Sequence, residues 1–164
     1  MAIPSPTVSF TRPNDTTAYT TGDLVANSTT AGSVVPMSFL ITGNAHGPVS
    51  VKRAKIKKST NVTTSAQFRL HLYTTSPTAS NGDNGAWLTT ESGYIGSLDV
   101  TVDKAFSDPA SNGVGVPMSG TGTEVELPGG QDVIVFGLLE ARAGYTPGAQ
   151  EVFTVFIETY IPPV

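Results

Sequence analysis

The stretch Gln67 to Thr74 reads Gln-Phe-Arg-Leu-His-Leu-Tyr-Thr. Phe68, Leu70 and Leu72 alternate with Gln67, Arg69, His71 and Tyr73. In a strand, successive side chains point to opposite faces, so this period of two predicts one apolar face and one polar face. A helix would leave Leu70 nearly opposite Phe68 and Leu72. The stretch therefore reads as a central β-strand, against which the other strands are laid.

The rest of the chain supplies short strands and turns to match. Thr7 to Thr11 alternates, and Gly22-Asp23 is a turn feeding Leu24-Val25-Ala26. Val34 to Ile41 is apolar but contains Pro36, which suits an edge or bulged position. Val49 and Val51 share one parity, and Ala54 and Ile56 share the other; a β-bulge near Lys52-Arg53 reconciles them. Lys55 to Asn61 and Thr64 to Thr74 are expected to pair as a hairpin. Ser76 to Ala86 is a surface loop closed by Trp87, whose expected role is to pack that loop onto the core. Gly93 to Val102 and Thr123 to Leu127 are further strands, and Ser107 to Thr123 is a long polar loop. Val133 to Leu139 and Val152 to Ile157 are nearly continuous apolar runs, which predict strands covered on both faces.

With 17 Gly, 12 Pro and a charged fraction of only 13%, the chain suits many short strands better than helices. The fold expected is all-β: a single-domain antiparallel β-sandwich, jelly-roll-like, with an extended N-terminal arm. Residues 1–15 form the arm and first strand, and residues 16–164 the sandwich.

Chemistry is hard to place on this framework. The chain has no cysteine, which excludes disulfides, thiolate metal sites and cysteine nucleophiles. Met1 to Pro6 lacks the features of a signal peptide, and no apolar run reaches membrane length. His46 lies in a turn and His71 on the polar parity of the anchor strand, neither beside a second ligand at metal-binding spacing. Both are expected to face solvent or an interface. Asn81-Gly-Asp-Asn-Gly lacks the spaced carboxylates of a calcium loop and reads as a turn with left-handed Asn and Gly. No enzymatic activity and no cofactor are expected.

Two features suggest contacts instead. Lys52, Arg53, Lys55, Lys57 and Lys58 are five of the nine basic residues, gathered within seven positions. They suit either an edge strand protected against aggregation or a contact patch for an acidic partner. Nucleic acid is not expected as a partner, since the pI is about 5.0 and no aromatic platform accompanies the patch in sequence. The second feature is Val152 to Tyr160, which is apolar on both parities: Phe153 lies on one, Phe156 and Tyr160 on the other. An apolar second face suggests a subunit interface.

Three stretches carry a family resemblance. The segment from Phe10-Thr-Arg-Pro-Asn-Asp through Tyr19 to Ser28 resembles the N-terminal pattern of a family of tailed-phage proteins encoded with head genes. Phe68-Arg-Leu-His-Leu-Tyr followed by Asp83-Asn-Gly-Ala-Trp87 resembles its middle segment, and Gly144-Tyr-Thr-Pro147 a late loop. The β-rich neighbours of that family resemble capsid decoration, or cement, proteins with jelly-roll folds. The resemblance implies a virion protein, made in the host cytoplasm, that coats the outer surface of the capsid and bridges capsomers. Its partners would be the major capsid protein and its own copies, as a dimer or trimer, with no nucleic acid and no membrane. The contact residues expected on this reading are Ile3, Pro4, Val8, Phe10 and Arg12 of the arm and first strand. Lys52, Arg53, Lys55, Lys57 and Lys58 of the basic run follow, with Phe153, Phe156 and Tyr160 of the last strand. The alternative is a tail, baseplate or receptor-binding module that recognises host glycans through Tyr73, Trp87 and Tyr94.

Overall fold

A computed structural model describes residues 6–42, 49–116, 125–127 and 132–160. It contains eleven strands: β1 Thr7–Thr11, β2 Leu24–Val25, β3 Met37–Ile41, β4 Val49–Lys58, β5 Gln67–Tyr73, β6 Tyr94–Thr101, β7 Lys104–Ala105, β8 Ser111–Gly115, β9 Val125–Leu127, β10 Val133–Ala141 and β11 Val152–Tyr160. The helical element among the described residues is a single 3-10 turn, Ala31–Ser33.

All pairings are antiparallel, and they form two sheets. The first runs β1-β11-β4-β8-β7, with β9 beside β4. The second runs β2-β10-β5-β6, with β3 beside β10. β2 and β3 pair with successive parts of β10 and act as one interrupted strand. Leaving aside the short β7 and β9, the chain fills β1-β11-β4-β8 and β2/β3-β10-β5-β6. Strands adjacent in a sheet are thus mostly distant in sequence, as two packed Greek keys require, and the fold is a jelly-roll sandwich.

The anchor strand β5 lies inside the second sheet, between β10 and β6, as its alternation predicts. Phe68, Leu70 and Leu72 are fully buried. Across the sandwich Phe68 meets Phe153 of β11 edge-to-face, with ring centroids 5.3 Å apart. Val51, Ala54 and Ile56 of β4 and Val135 and Leu139 of β10 fill the same core. Burying each such aliphatic or aromatic side chain contributes about 1.5–3 kcal/mol.

β4 carries the anticipated bulge. Glu158 pairs with Arg53 and Thr159 with Val51, so Lys52 is the extra residue. The expected hairpin between β4 and β5 does not form. β4 belongs to the first sheet and β5 to the second, so the segment between them crosses from sheet to sheet. Short connections favour hairpins, but this topology gives β4 the partners β11, β8 and β9 instead. The polar stretch read as a loop from Ser107 also contains a strand, β8. Its inward positions are Ser111, Gly113 and Gly115, all buried. A Cβ on Gly113 would sit 1.9 Å from the carbonyl oxygen of Thr101, and one on Gly115 equally close to that of Asp99. Sheets usually pack about 10 Å apart through their side chains. Along this edge β8 and β6 instead meet backbone to backbone, which closes the sandwich.

The outer face of the second sheet is partly roofed by the loop that Trp87 closes. Trp87 stacks on His71, centroids 4.1 Å apart and planes 19° from parallel. Around it Leu24, Ala26, Ala79 and Leu138 form a small second core.

Candidate functional site

The outer face of the first sheet is built from the opposite parity of the same strands. On β4 the residues after the bulge alternate, so Ala54, Ile56 and Lys58 point inward while Arg53, Lys55 and Lys57 point outward and are exposed. Register then places β11 and β8 on either side. Lys55 lies between Phe156 and Val114, and Lys57 between Thr154 and Asn112. The basic run and the apolar second face of the last strand, two separate sequence features, therefore share one surface.

The chemistry of this face is mixed. Lys55 Nζ sits 5.1 Å from the Phe156 ring centroid, and Lys52 Nζ 5.0 Å from that of Tyr160. Such cation–π contacts at exposed sites are worth about 0.5–1 kcal/mol. Arg53 Nε donates to Glu158 Oε2 at 2.6 Å, which compensates that guanidinium. Two shallow grooves flank Lys55. One is lined by Arg53, Lys55, Val114, Phe156, Ile157 and Glu158. The other is lined by Lys55, Lys57, Phe106, Asp108, Ala110 and Asn112. Val114 and Phe106 are about half exposed. Val114 was missed in sequence because β8 hides in a Gly-rich, polar segment, although Asn112, Val114 and Val116 do share a parity; Phe106, just after β7, gives no local signal.

Several expected contact residues are instead used inside the chain. Phe153 is fully buried in the core. Phe10 stacks on it, centroids 5.5 Å apart, and Val8 packs against the same cluster, so β1 turns its apolar side inward. Arg12 and Lys58 are buried as well, at 2% and 0% exposure. Ile3 and Pro4 lie outside the described residues, as does His46. What survives on the outer face is Lys52, Arg53, Lys55, Lys57, Phe156 and Tyr160.

Arg12 and Lys58 anchor two buried ionic clusters at one end of the sandwich. Arg12 donates to Asp83 Oδ2 at 2.8 Å and to the Tyr19 hydroxyl, which in turn donates to Asp83 Oδ1 at 2.7 Å. The amide of Ala26 also donates to Asp83. Burial pushes the Asp83 carboxyl above the usual carboxylate range, and these donors oppose it. In the second cluster Lys58 Nζ donates to the carbonyl of Val62 at 2.6 Å, the Tyr145 hydroxyl at 2.7 Å and Glu151 Oε1 at 3.2 Å. Thr60 also donates to Glu151. Burial holds the Lys58 ammonium below its ordinary value, against the pull of Glu151. It pushes the Tyr19 and Tyr145 hydroxyls well above theirs. The two tyrosine rings lie parallel, 6.5 Å apart, and join the clusters. Arg12, Tyr19, Asp83 and Tyr145 come from all three stretches that carry the family resemblance. Those stretches thus meet in a structural clamp.

His71 is buried rather than solvent-facing, because Trp87 covers it. Its Nε2 lies 2.7 Å from Glu140 Oε2, and Arg142 donates to the other oxygen of Glu140 at 2.7 Å. Burial lowers the His71 pKa, and Glu140 partly offsets it. Tyr73 and Tyr94, the other rings of the glycan alternative, meet edge-to-face at 5.3 Å beside this stack. Among the described residues no group of three or more His, Asp or Glu side chains is placed to hold a metal ion. No helix among them is long and apolar enough to cross a membrane. No family model matches the chain, and neither does any curated protein.

Proposed function

We propose that this chain is a capsid decoration protein, which binds the outer surface of a phage head through the outer face of its first sheet. The observation that carries the reading is the contrast between the two sheets. The second sheet has part of its outer face roofed by the chain's own Trp87 loop, with Leu40 and Ile134 exposed beyond that roof. On the first, no described residue covers the outer face across β1, β11, β4 and β8, where Lys55 lies between Phe156 and Val114 and is flanked along β4 by Arg53 and Lys57. A wide face with exposed apolar and basic side chains fits a partner surface better than it fits bulk solvent. The family resemblance supports the same reading, with the major capsid protein as partner and the chain itself as dimer or trimer. Repetition over a shell makes modest affinity at each site sufficient.

The test is copy number. Purified particles are digested and this chain is quantified by mass spectrometry against the major shell protein. A ratio of roughly one, or a simple fraction set by the symmetry axis occupied, supports decoration. A handful of copies moves the chain to the tail or a vertex, and absence from the particle overturns the reading.

The glycan-recognition alternative draws on the closeness of Tyr73, Trp87 and Tyr94. Sugar rings need open aromatic faces, yet Trp87 is stacked on His71 and Tyr73 is only 3% exposed. Tyr94 is left as the well-exposed ring, at 44%. Hits on a glycan array that vanish in Tyr94→Ala would favour this second reading.

A further inference from the structure

We infer that the outer face of the first sheet receives an extended acidic segment of a protein partner, lying along β4 with carboxylates at every second residue. The inference deepens the reading of this face as the head-binding surface and rests on it.

Charge is the starting point. Arg53 already has Glu158, whereas Lys55 and Lys57 have no carboxylate partner among the described residues. Both are outward, two residues apart on one strand, so their positions repeat about every 7 Å. Carboxylates at alternate residues of an extended segment repeat with the same spacing, so one such segment meets both ammonium groups at once.

Shape adds direction and specificity. Beyond Lys55 the groove beside Val114 and Phe156 offers apolar wall, and the Arg53–Glu158 pair lines it as well. Beyond Lys57 the other groove holds Phe106 but also Asp108, which repels a third carboxylate. The fitting occupant therefore reads apolar-x-acid-x-acid, its apolar side chain entering beside Phe156 and its acids over Lys55 and Lys57. Single-stranded nucleic acid fits less well. The rings of Phe156 and Tyr160 are covered by Lys55 and Lys52, so they offer bases no open stacking platform.

The test uses the full chain and two synthetic peptides of one composition. In one, Glu alternates with Thr after a leading Val; in its isomer the same glutamates are consecutive. Fluorescence anisotropy is read at low and moderate salt, beside a single-stranded DNA oligonucleotide. The alternating peptide is expected to bind more tightly than both. Lys55→Glu/Lys57→Glu is expected to weaken it by roughly tenfold or more, while Lys55→Arg/Lys57→Arg retains it. Both lysines are exposed, and an unchanged urea midpoint confirms that the variants fold. Absent binding, equal binding by the two isomers, or preference for the oligonucleotide overturns the inference. A pull-down with purified heads separates it from the functional reading. Heads that retain the charge-reversed variant as well as the wild type sink the acidic-segment inference alone. Peptide binding by a chain that is absent from particles sinks the decoration reading alone.

Discussion

Arg12 and Asp83 are 71 positions apart in sequence and 2.8 Å apart in the fold, and neither side chain has any solvent exposure. The pair ties the segment after β1 to the loop before Trp87. Breaking a buried pair leaves one charge uncompensated, which typically costs about 3–5 kcal/mol. Asp83→Asn is therefore expected to destabilise the chain by about that much in urea unfolding, with Arg12→Met similar. The exposed pair of Lys104 and Asp103 is the control: Asp103→Asn should leave the midpoint where it is. Equal midpoints for Asp83→Asn and wild type would show that the cluster contributes nothing to stability.

Lys58 and Glu151 allow a sharper comparison, because both are fully buried. Lys58→Met alone strands the Glu151 carboxylate and should cost about 3–5 kcal/mol. Adding Glu151→Leu removes the stranded charge and should recover much of that loss. A double-mutant cycle in urea measures the recovery. Additive losses would mean that the two side chains act independently.

Stability should also depend on pH through His71. Its folded pKa is lowered by burial from the ordinary 6.5, so the unfolded chain takes up the proton first as pH falls. The contribution of neutral His71 is thus intact above about pH 6.5 and is lost progressively below it, down to the folded pKa. Urea midpoints between pH 8 and pH 5 should fall, and His71→Gln should flatten that part of the curve. A rise in stability on acidification, abolished by the same variant, would mean that Glu140 outweighs burial.

The edge where β8 crosses β6 gives a steric prediction. Gly113→Ala drives a methyl into the Thr101 carbonyl, a backbone atom that cannot swing away. A loss of at least ~2 kcal/mol is expected by chemical denaturation. Gly32→Ala has open space around it and should change stability by less than about 0.5 kcal/mol.

Much of this architecture was legible in local patterns. Period-two alternation located β5, and the parity change between Val51 and Ala54 located the bulge. The all-β class followed from turn residues and sparse charge. Which strand pairs with which was not legible, because jelly-roll neighbours are set by the whole topology and not by short connections. Part of the surface was misread for a reason visible afterwards. Lys58 shares the inward parity of Ala54 and Ile56, yet its charge suggested exposure; an ammonium can be buried when Glu151, Tyr145 and Val62 meet it. Arg12 was misread in the same way, since Asp83 is too far off in sequence to signal the pairing. His71 follows the polar parity of its strand, but the roof that buries it comes from a loop whose path no local pattern reveals.

The extra residue in β4 works as a phase shift. Ahead of Lys52 the odd-numbered Val51 faces the core; behind it the even-numbered Ala54 and Ile56 do. The basic outer face of β4 is therefore encoded by a count of residues as much as by their chemistry. A chain held at Val51 that kept Lys52 in strict alternation, without the bulge, would turn Arg53, Lys55 and Lys57 toward Phe68 and Phe153, and present Ala54 and Ile56 outside; deleting Lys52 would remove the extra residue and leave both faces as they are. Substitutions along this strand retune the face one side chain at a time, whereas a single codon inserted after Arg53, with Val51 held in place, would exchange inside for outside for all that follows.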